Sequence, residues 1–296
     1  MIQLNHQMKG RMSLMRSAEQ FYPSLLNWAG ECDWIRVVLQ TSSRTNPHAF
    51  RDRFTDYDIE LYVNNLEWFL QDNWLSHFGT LIAAAPLKPA IDQLHITRLV
   101  LFDDGTKMDF QIYQLDLLEK VSQLPPEYDN GYEVLLDKDK LTPLFKPPSF
   151  QAYHVKPPTK DQYAELVNSF WWDTSYVAKS LWRDELFFSK YMLDSIIRIN
   201  YLQPMIEWHI GVQHSWGVNP NKHGRWFKRY VQPALWTRIE QTYAGSSVED
   251  NWNALFNTMN LFSELAIEVG AYLSYPYDKE MEERLTAYCK NIYTLP

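Results

Sequence analysis

Hydrophobic and polar positions follow different patterns in the two halves of the chain. In the first half, short apolar runs rich in β-branched residues lie between turn residues, a pattern that predicts strands rather than helices. The predicted strands cover residues 35–39, 59–63, 99–102 and 107–112, and a helix over residues 13–30 is predicted to precede them. This half is therefore expected to form a small mixed sheet with helices.

The second half carries apolar residues at three- and four-residue spacing, which is the period of amphipathic helices. Helices are predicted over residues 161–168, 176–197, 203–216, 226–242, 249–272 and 279–293. Two proline pairs in residues 145–158 separate the patterns, because proline interrupts both helices and central strands. The predicted fold class is α+β, with residues 1–145 as a mixed-sheet domain and residues 146–296 as a helical bundle.

The composition limits the classes of function. A chain of 296 residues is long for one domain, and a hydrophobic content of 46% supports packed cores. The formal net charge of −8 argues against a nucleic-acid-binding protein, because contact with many phosphates requires a basic surface. The same charge suits a small polycationic substrate, which acidic side chains would attract and orient.

The two cysteines, Cys32 and Cys289, offer neither a disulfide framework nor metal-ligand spacing, which is consistent with a reducing cytosol. Residues 1–6 lack the basic segment and apolar stretch of a signal peptide. No run of about 18 apolar residues, the length of a membrane span, is present. We expect a soluble, cytoplasmic protein without a membrane partner, and the oligomeric state is left open.

Two aspartates one residue apart, Asp56 and Asp58, are the first candidates for chemistry. Alternate side chains of a strand share a face, which would place these residues roughly 6.5–7 Å apart at the backbone. Carboxylate oxygens are the ligands that Mg²⁺ prefers, together with substrate phosphates. Taken alone, such a pair is also typical of a solvated strand edge, so the metal site needs further support.

A turn of small residues upstream gives the first support. Ser42 and Ser43 follow a predicted buried strand, and their hydroxyl and N–H groups are suited to hold an anion. Arg44 adds a fixed positive charge that matches phosphate. The alternative for this turn is an ordinary strand-to-helix connection with a serine cap.

A third acid, Asp109, gives the second support. It follows the hairpin signal Asp104-Gly105 and lies between Met108 and Phe110, so alternation places it on the opposite strand face from these two apolar residues. An acid in an apolar strand is costly to bury unless it is paired or binds a metal. A solvent-facing position on a half-exposed strand is the alternative.

Together these stretches resemble the DNA-polymerase-β-like nucleotidyltransferase superfamily, and more narrowly the aminoglycoside 6-adenylyltransferases that modify streptomycin. Matching residues extend nearly from end to end. They include Ile35-Arg-Val-Val38, Ser43-Arg-Thr-Asn46, Asp56-Tyr-Asp-Ile59, Leu101-Phe-Asp-Asp104, Leu136-Asp-Lys-Asp139, Tyr153-His-Val155, Lys179, Arg183 with Glu185, Asn251-Trp-Asn-Ala-Leu-Phe256 and Tyr275-Pro276.

The resemblance implies a nucleotidyltransferase domain, residues 1–145, and a helical substrate-binding domain, residues 146–296. It implies transfer of AMP from Mg-ATP to the 6-hydroxyl of streptomycin with release of pyrophosphate. Mg²⁺ would bind Asp56, Asp58 and Asp109, and the turn of Ser42, Ser43 and Arg44 would hold phosphates. Across the cleft between domains, Lys179 and Arg183 would reach the triphosphate. The general base is left open between Asp109 and Glu185.

One position departs from the superfamily pattern, which has glycine where this chain has Ser42. Glycine permits a positive φ and close approach of the backbone to phosphate, whereas serine adopts that conformation only at some cost. Three alternatives are kept, and Ser42 would mark the divergence in the first of them. They are a divergent transferase acting on another small-molecule or protein hydroxyl, a non-catalytic nucleotide- or antibiotic-binding module, and, more remotely, an RNA-directed transferase.

Overall fold

Two compact units make up the chain in the computed structural model, which describes residues 16–296. The first unit ends at Ala152 and the second comprises Tyr153–Pro296. None of the described helices is long and apolar enough to cross a membrane. The two units are described separately below.

The first unit is organised around one six-stranded sheet in the order β3-β4-β5-β2-β1-β6. β2 and β5 run parallel, and the other neighbours are antiparallel. This arrangement confirms the predicted mixed sheet. The strands are β1 (Ile35–Thr41), β2 (Tyr57–Val63), β3 (Leu81–Ala85), β4 (His95–Phe102), β5 (Lys107–Gln114) and β6 (Tyr132–Asp137).

Alternation along β2 and β5 separates an apolar face from a polar face. Ile59 and Phe110 lie in the main core of this unit, which α1 (Ala18–Glu31) covers with Phe21 and Leu25. The residues that alternate with these apolar residues along each strand, such as Asp58, point to the opposite face of the sheet. A turn after β4 reverses the chain into β5, where Gly105 has a φ of +84°, so the predicted hairpin is confirmed.

Short helical segments connect the strands of the first unit. They comprise 3₁₀ turns at Ser42–Arg44, Glu67–Leu70, Asp72–Phe78 and Leu115–Leu118, followed by helices α2 (Glu119–Ser122) and α3 (Pro126–Asp129). Sequence periodicity missed β3 and β6. The helix predicted over residues 13–30 begins at Ala18 as described, and residues 13–15 lie outside the described part of the chain.

The second unit is helical, as predicted. Its members are α4 (Lys160–Trp182), α5 (Leu186–Lys190), a π-helical stretch (Tyr191–Leu202), α6 (Gln203–Gln213), a 3₁₀ turn (Lys222–Gly224), α7 (Phe227–Tyr230), α8 (Pro233–Glu240), α9 (Val248–Leu273) and α10 (Lys279–Tyr293). In its core, the rings of Phe170 and Phe262 stack with centroids 3.6 Å apart.

Three helix predictions in this unit are wrong at their boundaries. The segments predicted over residues 161–168 and 176–197 are not separate helices, because α4 runs through Lys160–Trp182 and the chain then breaks before α5. At the break Asp184 has a φ of +57°, a left-handed conformation that Asp tolerates better than most residues. The helix predicted over residues 226–242 is likewise divided, and Pro233 begins its second part.

Candidate functional site

The three predicted acids meet on the polar face of the sheet at the start of two parallel strands. Asp58 of β2 and Asp109 of β5 are register partners, so their side chains leave the same face from neighbouring backbones. Asp56 lies one residue before β2. The parallel pairing of β2 with β5 therefore joins acids that are about fifty positions apart in sequence.

A lysine lies among these acids. The Nζ of Lys107 is 2.8 Å from Asp56 Oδ2, and it is 2.8 and 2.9 Å from the two carboxylate oxygens of Asp109. Lys107 and Asp109 are two residues apart on β5 and so share a face. Sequence reasoning did not single out Lys107, although this spacing was a usable signal.

The acids fit a divalent cation by their donor chemistry, because three carboxylates supply the hard oxygens that Mg²⁺ prefers. An ammonium group already lies between two of them as a stand-in cation. As they stand, no three acidic, histidine or cysteine side chains within residues 16–296 are grouped to hold a metal ion. A metal ion would therefore need these carboxylates to be rearranged around it.

Asp58 is half-buried, and this burial affects the ionisation of its carboxyl group. Burial raises its pKa to about 6, and the neighbouring charges of Asp109 and Asp56 act in the same direction. Lys107 and a hydrogen bond from the Ser42 side chain oppose this rise in pKa. A cation placed beside Asp58 would thus relieve both its desolvation and the repulsion between like charges.

The turn after β1 has an unusual backbone conformation at its first residue. Ser42 has a φ of +66°, in the left-handed region that favours glycine. Its carbonyl accepts hydrogen bonds from the N–H groups of Thr45 and Asn46 and from the Thr45 hydroxyl. These contacts close the 3₁₀ turn Ser42–Arg44 and hold Ser42 in this conformation.

Arg44 fixes the segment that carries the first two acids. Its guanidinium donates to the carbonyl of Asp56 at 2.8 Å and to that of Thr55 at 2.5 Å, and it lies 3.6 Å from the ring centroid of Tyr57. These partners are main-chain oxygens and a ring, so the positive charge of Arg44 is not neutralised by a carboxylate in these contacts.

Gln40 holds the same segment from the other side. This fully buried side chain donates from Nε2 to the carbonyl of Asp58 at 2.8 Å, and its Oε1 accepts from the Tyr22 hydroxyl at 3.2 Å. Sequence reasoning missed Gln40, because a polar residue at the end of an apolar strand reads as a solvent-facing position.

A buried acid lies farther along the same face of β2. Glu60 accepts hydrogen bonds from the hydroxyls of Tyr128 at 2.8 Å and Tyr62 at 3.1 Å. Burial raises the pKa of Glu60 to about 7, and both hydrogen bonds oppose this rise. The sequence analysis did not identify this network, since its members come from distant segments.

A cavity of about 270 Å³ opens beside the acids and is lined with basic residues. Arg16, Arg44, Arg53 and Lys107 line it together with Asp56. Arg16 is paired with Asp104 through a 2.7 Å contact. The cavity wall carries more positive than negative charge, in contrast to the acidic composition of the whole chain.

The remaining predicted residues belong to the second unit. Lys179 lies in the last turn of α4 with its Nζ 4.6 Å from the Tyr176 ring centroid, and Arg183 caps the end of that helix. Glu185 is exposed and precedes α5, so the interpretation that it shares a helix with Lys179 and Arg183 is wrong. The three side chains instead surround a helix break at Asp184.

Comparison with known proteins gives long matches. A solved structure, the aminoglycoside 6-adenyltransferase from Bacillus subtilis, is 27% identical and has a TM-score of 0.48, with 95% of this chain and 100% of that chain covered. An aminoglycoside 6-adenylyltransferase of Campylobacter jejuni is 34% identical over 271 residues, which are 89% of this chain and 91% of the relative.

A second aminoglycoside 6-adenylyltransferase, from Bacillus subtilis (strain 168), is 31% identical over 287 residues, which are 94% of this chain and 99% of the relative. The sequence pattern of the streptomycin adenylyltransferase family matches residues 15–292. Because this match spans nearly the whole chain, and because full-length relatives exceed 30% identity, the protein belongs to the streptomycin adenylyltransferase family of nucleotidyltransferase enzymes.

Proposed function

We propose that this protein transfers AMP from Mg-ATP to a hydroxyl group of an aminoglycoside, with the 6-hydroxyl of streptomycin as acceptor, and releases pyrophosphate. Two relatives that share more than 30% identity over most of the chain are aminoglycoside 6-adenylyltransferases, which supports the substrate class. The observation that carries the proposal is the pairing of Asp58 with Asp109 on adjacent parallel strands, with Asp56 beside them.

Asp56, Asp58 and Asp109 are the residues that would hold Mg²⁺. When bound, the metal ion supplies positive charge that offsets the negative charge of the nucleotide phosphates. The three acids contribute by holding their carboxylates on one face of a rigid sheet. Gln40 and Arg44 keep the main chain of this segment in place, so the rearrangement of the carboxylates around a metal ion would be confined to their side chains.

The turn beside the acids is proposed to hold the phosphates. Ser43 would donate from its hydroxyl and N–H groups to the terminal phosphates, and Ser42 shapes the turn through its positive φ. Arg44 places a positive charge at the same cavity. The acceptor hydroxyl then attacks the α-phosphorus, a new P–O bond forms, and the bond to pyrophosphate breaks.

The proton of the attacking hydroxyl must pass to a base, for which Asp109 and Glu185 are the two candidates. Lys179 and Arg183 are proposed to bind phosphate, and the helical unit is proposed to bind the acceptor. These assignments rest on the family resemblance. The exposed carboxylate of Glu185 also suits a cationic group of an aminoglycoside.

The decisive experiment incubates the purified protein with Mg-ATP and streptomycin and measures the mass of the antibiotic. We expect a gain of one AMP, which Asp58→Asn or removal of Mg²⁺ abolishes. Asp116→Asn, an exposed aspartate in the turn after β5, is the matched control and should retain the activity. If pyrophosphate is released only with another hydroxylated compound, that compound replaces streptomycin as the proposed acceptor. Nucleotide binding without turnover would indicate a non-catalytic binding module.

A further inference from the structure

Lys107 occupies oxygens that the proposed metal ion would need. Its ammonium contacts both carboxylate oxygens of Asp109 and one oxygen of Asp56, each within 2.9 Å. Coordination of Mg²⁺ requires oxygens at about 2.0–2.1 Å from the metal in near-octahedral geometry. A metal ion on Asp109 would therefore share these oxygens with the ammonium group of Lys107 at close range.

Charge repulsion makes the two occupants exclusive. Like charges a few ångströms apart repel each other near a protein surface, and a divalent ion doubles the repulsion that a unit charge experiences. Mg²⁺ beside Asp56 and Asp109 would thus drive the ammonium away from the carboxylates. The side chain of Lys107 is 41% exposed, so its flexible stem is free to turn.

The basic cavity is the adjacent space that would receive the ammonium. Lys107 lines this cavity along with Arg16, Arg44 and Arg53, and Asp56 is the one acid among its described lining residues. A fourth cation placed there alone would be repelled. An anion in the cavity removes that repulsion, and the phosphate groups of the nucleotide are the anions that the proposed reaction brings to this place.

We propose that Lys107 is a mobile counter-ion, which neutralises Asp56 and Asp109 when no metal is bound and transfers to nucleotide phosphate oxygens when the metal arrives. This inference rests on the proposed function, since it presumes a metal ion on the three acids and a nucleotide beside them. The acid cluster would then never carry its full negative charge uncompensated, and metal and nucleotide binding would be coupled through one side chain.

Substitution of Lys107 should have opposite effects on the two ligands. Lys107→Met removes the competitor for the carboxylates, so Mn²⁺, which uses the same oxygen ligands, should bind the nucleotide-free protein about tenfold more tightly. At saturating Mn²⁺, α,β-methylene ATP, which cannot transfer AMP, should bind about tenfold more weakly than to the wild type. Lys107→Arg retains the charge and should stay close to the wild type in both titrations.

Electron paramagnetic resonance measures the concentration of free Mn²⁺, and calorimetry measures the binding of α,β-methylene ATP. Lys120→Met, an exposed lysine on α2, is the matched control and should leave both affinities unchanged. Lys107→Gln repeats the charge removal in case the methionine variant does not fold. An unchanged or weaker Mn²⁺ affinity in both uncharged variants overturns the inference, and so does an unchanged affinity for the analogue at saturating Mn²⁺.

Asp58→Asn separates this outcome from a failure of the proposed function. If Mn²⁺ binds the wild type and Asp58→Asn abolishes that binding, the assignment of the metal site is supported, whatever result the Lys107 variants give. If wild type, Lys107→Met and Asp58→Asn all bind no Mn²⁺ even with the analogue present, the metal assignment of the three acids fails and the counter-ion role of Lys107 fails with it.

Discussion

The side chain of Gln40 holds the main chain of Asp58 in place, through a 2.8 Å hydrogen bond from Nε2 to the Asp58 carbonyl. Gln40 is fully buried, and Tyr22 orients its amide from the other end. Arg44 does the same for Asp56 from the following turn. The segment that carries the two aspartates is therefore positioned by residues of the first strand and turn, which also shape the proposed phosphate site.

We predict that Gln40→Met lowers the free energy of unfolding by about 1–3 kcal/mol, because the Asp58 carbonyl loses its donor and the Tyr22 hydroxyl loses its acceptor. The same variant should weaken Mn²⁺ binding, since the Asp58 backbone gains freedom. Urea unfolding and Mn²⁺ titration measure the two effects. Tyr22→Phe keeps the contact with Asp58 and is the control. If Gln40→Met binds Mn²⁺ as tightly as the wild type does, Gln40 does not position Asp58 for metal binding.

Ser42 has a strained backbone conformation, and its side chain makes a hydrogen bond to Asp58. Two substitutions separate the effects of the strain and of the hydrogen bond. Ser42→Gly relieves the positive φ, which costs a non-glycine residue about 1 kcal/mol, so we expect equal or greater stability and preserved or improved ATP affinity. Ser42→Ala keeps the strain and loses the hydrogen bond to Asp58, so it should be less stable than both. Thermal unfolding measures the stability of the variants, and calorimetry measures their affinity for ATP. A clear loss of ATP affinity in Ser42→Gly would assign Ser42 a direct role.

The buried Glu60 makes the stability of the protein depend on pH. Its pKa rises from 4.5 in the unfolded chain to about 7 in the fold because of burial. A group with a raised folded pKa contributes its full stability at low pH and loses it as the pH rises through the folded pKa. The wild type should therefore lose about 1–3 kcal/mol between pH 5 and pH 8 through this group alone.

Glu60→Gln removes that titration and keeps partners for the two tyrosine hydroxyls. We expect the difference in unfolding free energy between variant and wild type to shift in favour of the variant as the pH rises from 5 to 8. Urea unfolding at both pH values measures it, and the comparison cancels other titrating groups. A difference that is the same at both pH values would mean that Glu60 is not protonated in the fold.

Local patterns in the sequence were sufficient to predict most of the sheet and the candidate acids. The alternation around Asp109 predicted the face on which it lies, because strand periodicity is a local property. The register that pairs Asp109 with Asp58 was not predictable, since it depends on a parallel pairing of distant strands. The break at Asp184 was also hidden, because no glycine or proline marks it and the apolar period continues on both sides.

Asp109 and Glu185 are separated as candidate bases by measuring metal binding together with turnover. Asp109→Asn should abolish Mn²⁺ binding and AMP transfer together, because Asp109 pairs directly with Asp58 on the sheet. Glu185→Gln should leave Mn²⁺ binding intact, since Glu185 is not one of the three proposed metal ligands. If Glu185 is the base, its variant should lose at least about a hundredfold in kcat with little change in KM for ATP. If Glu185 instead holds a cationic group of the acceptor, KM for streptomycin should rise while kcat is largely kept, and wild-type kinetics would remove Glu185 from both roles.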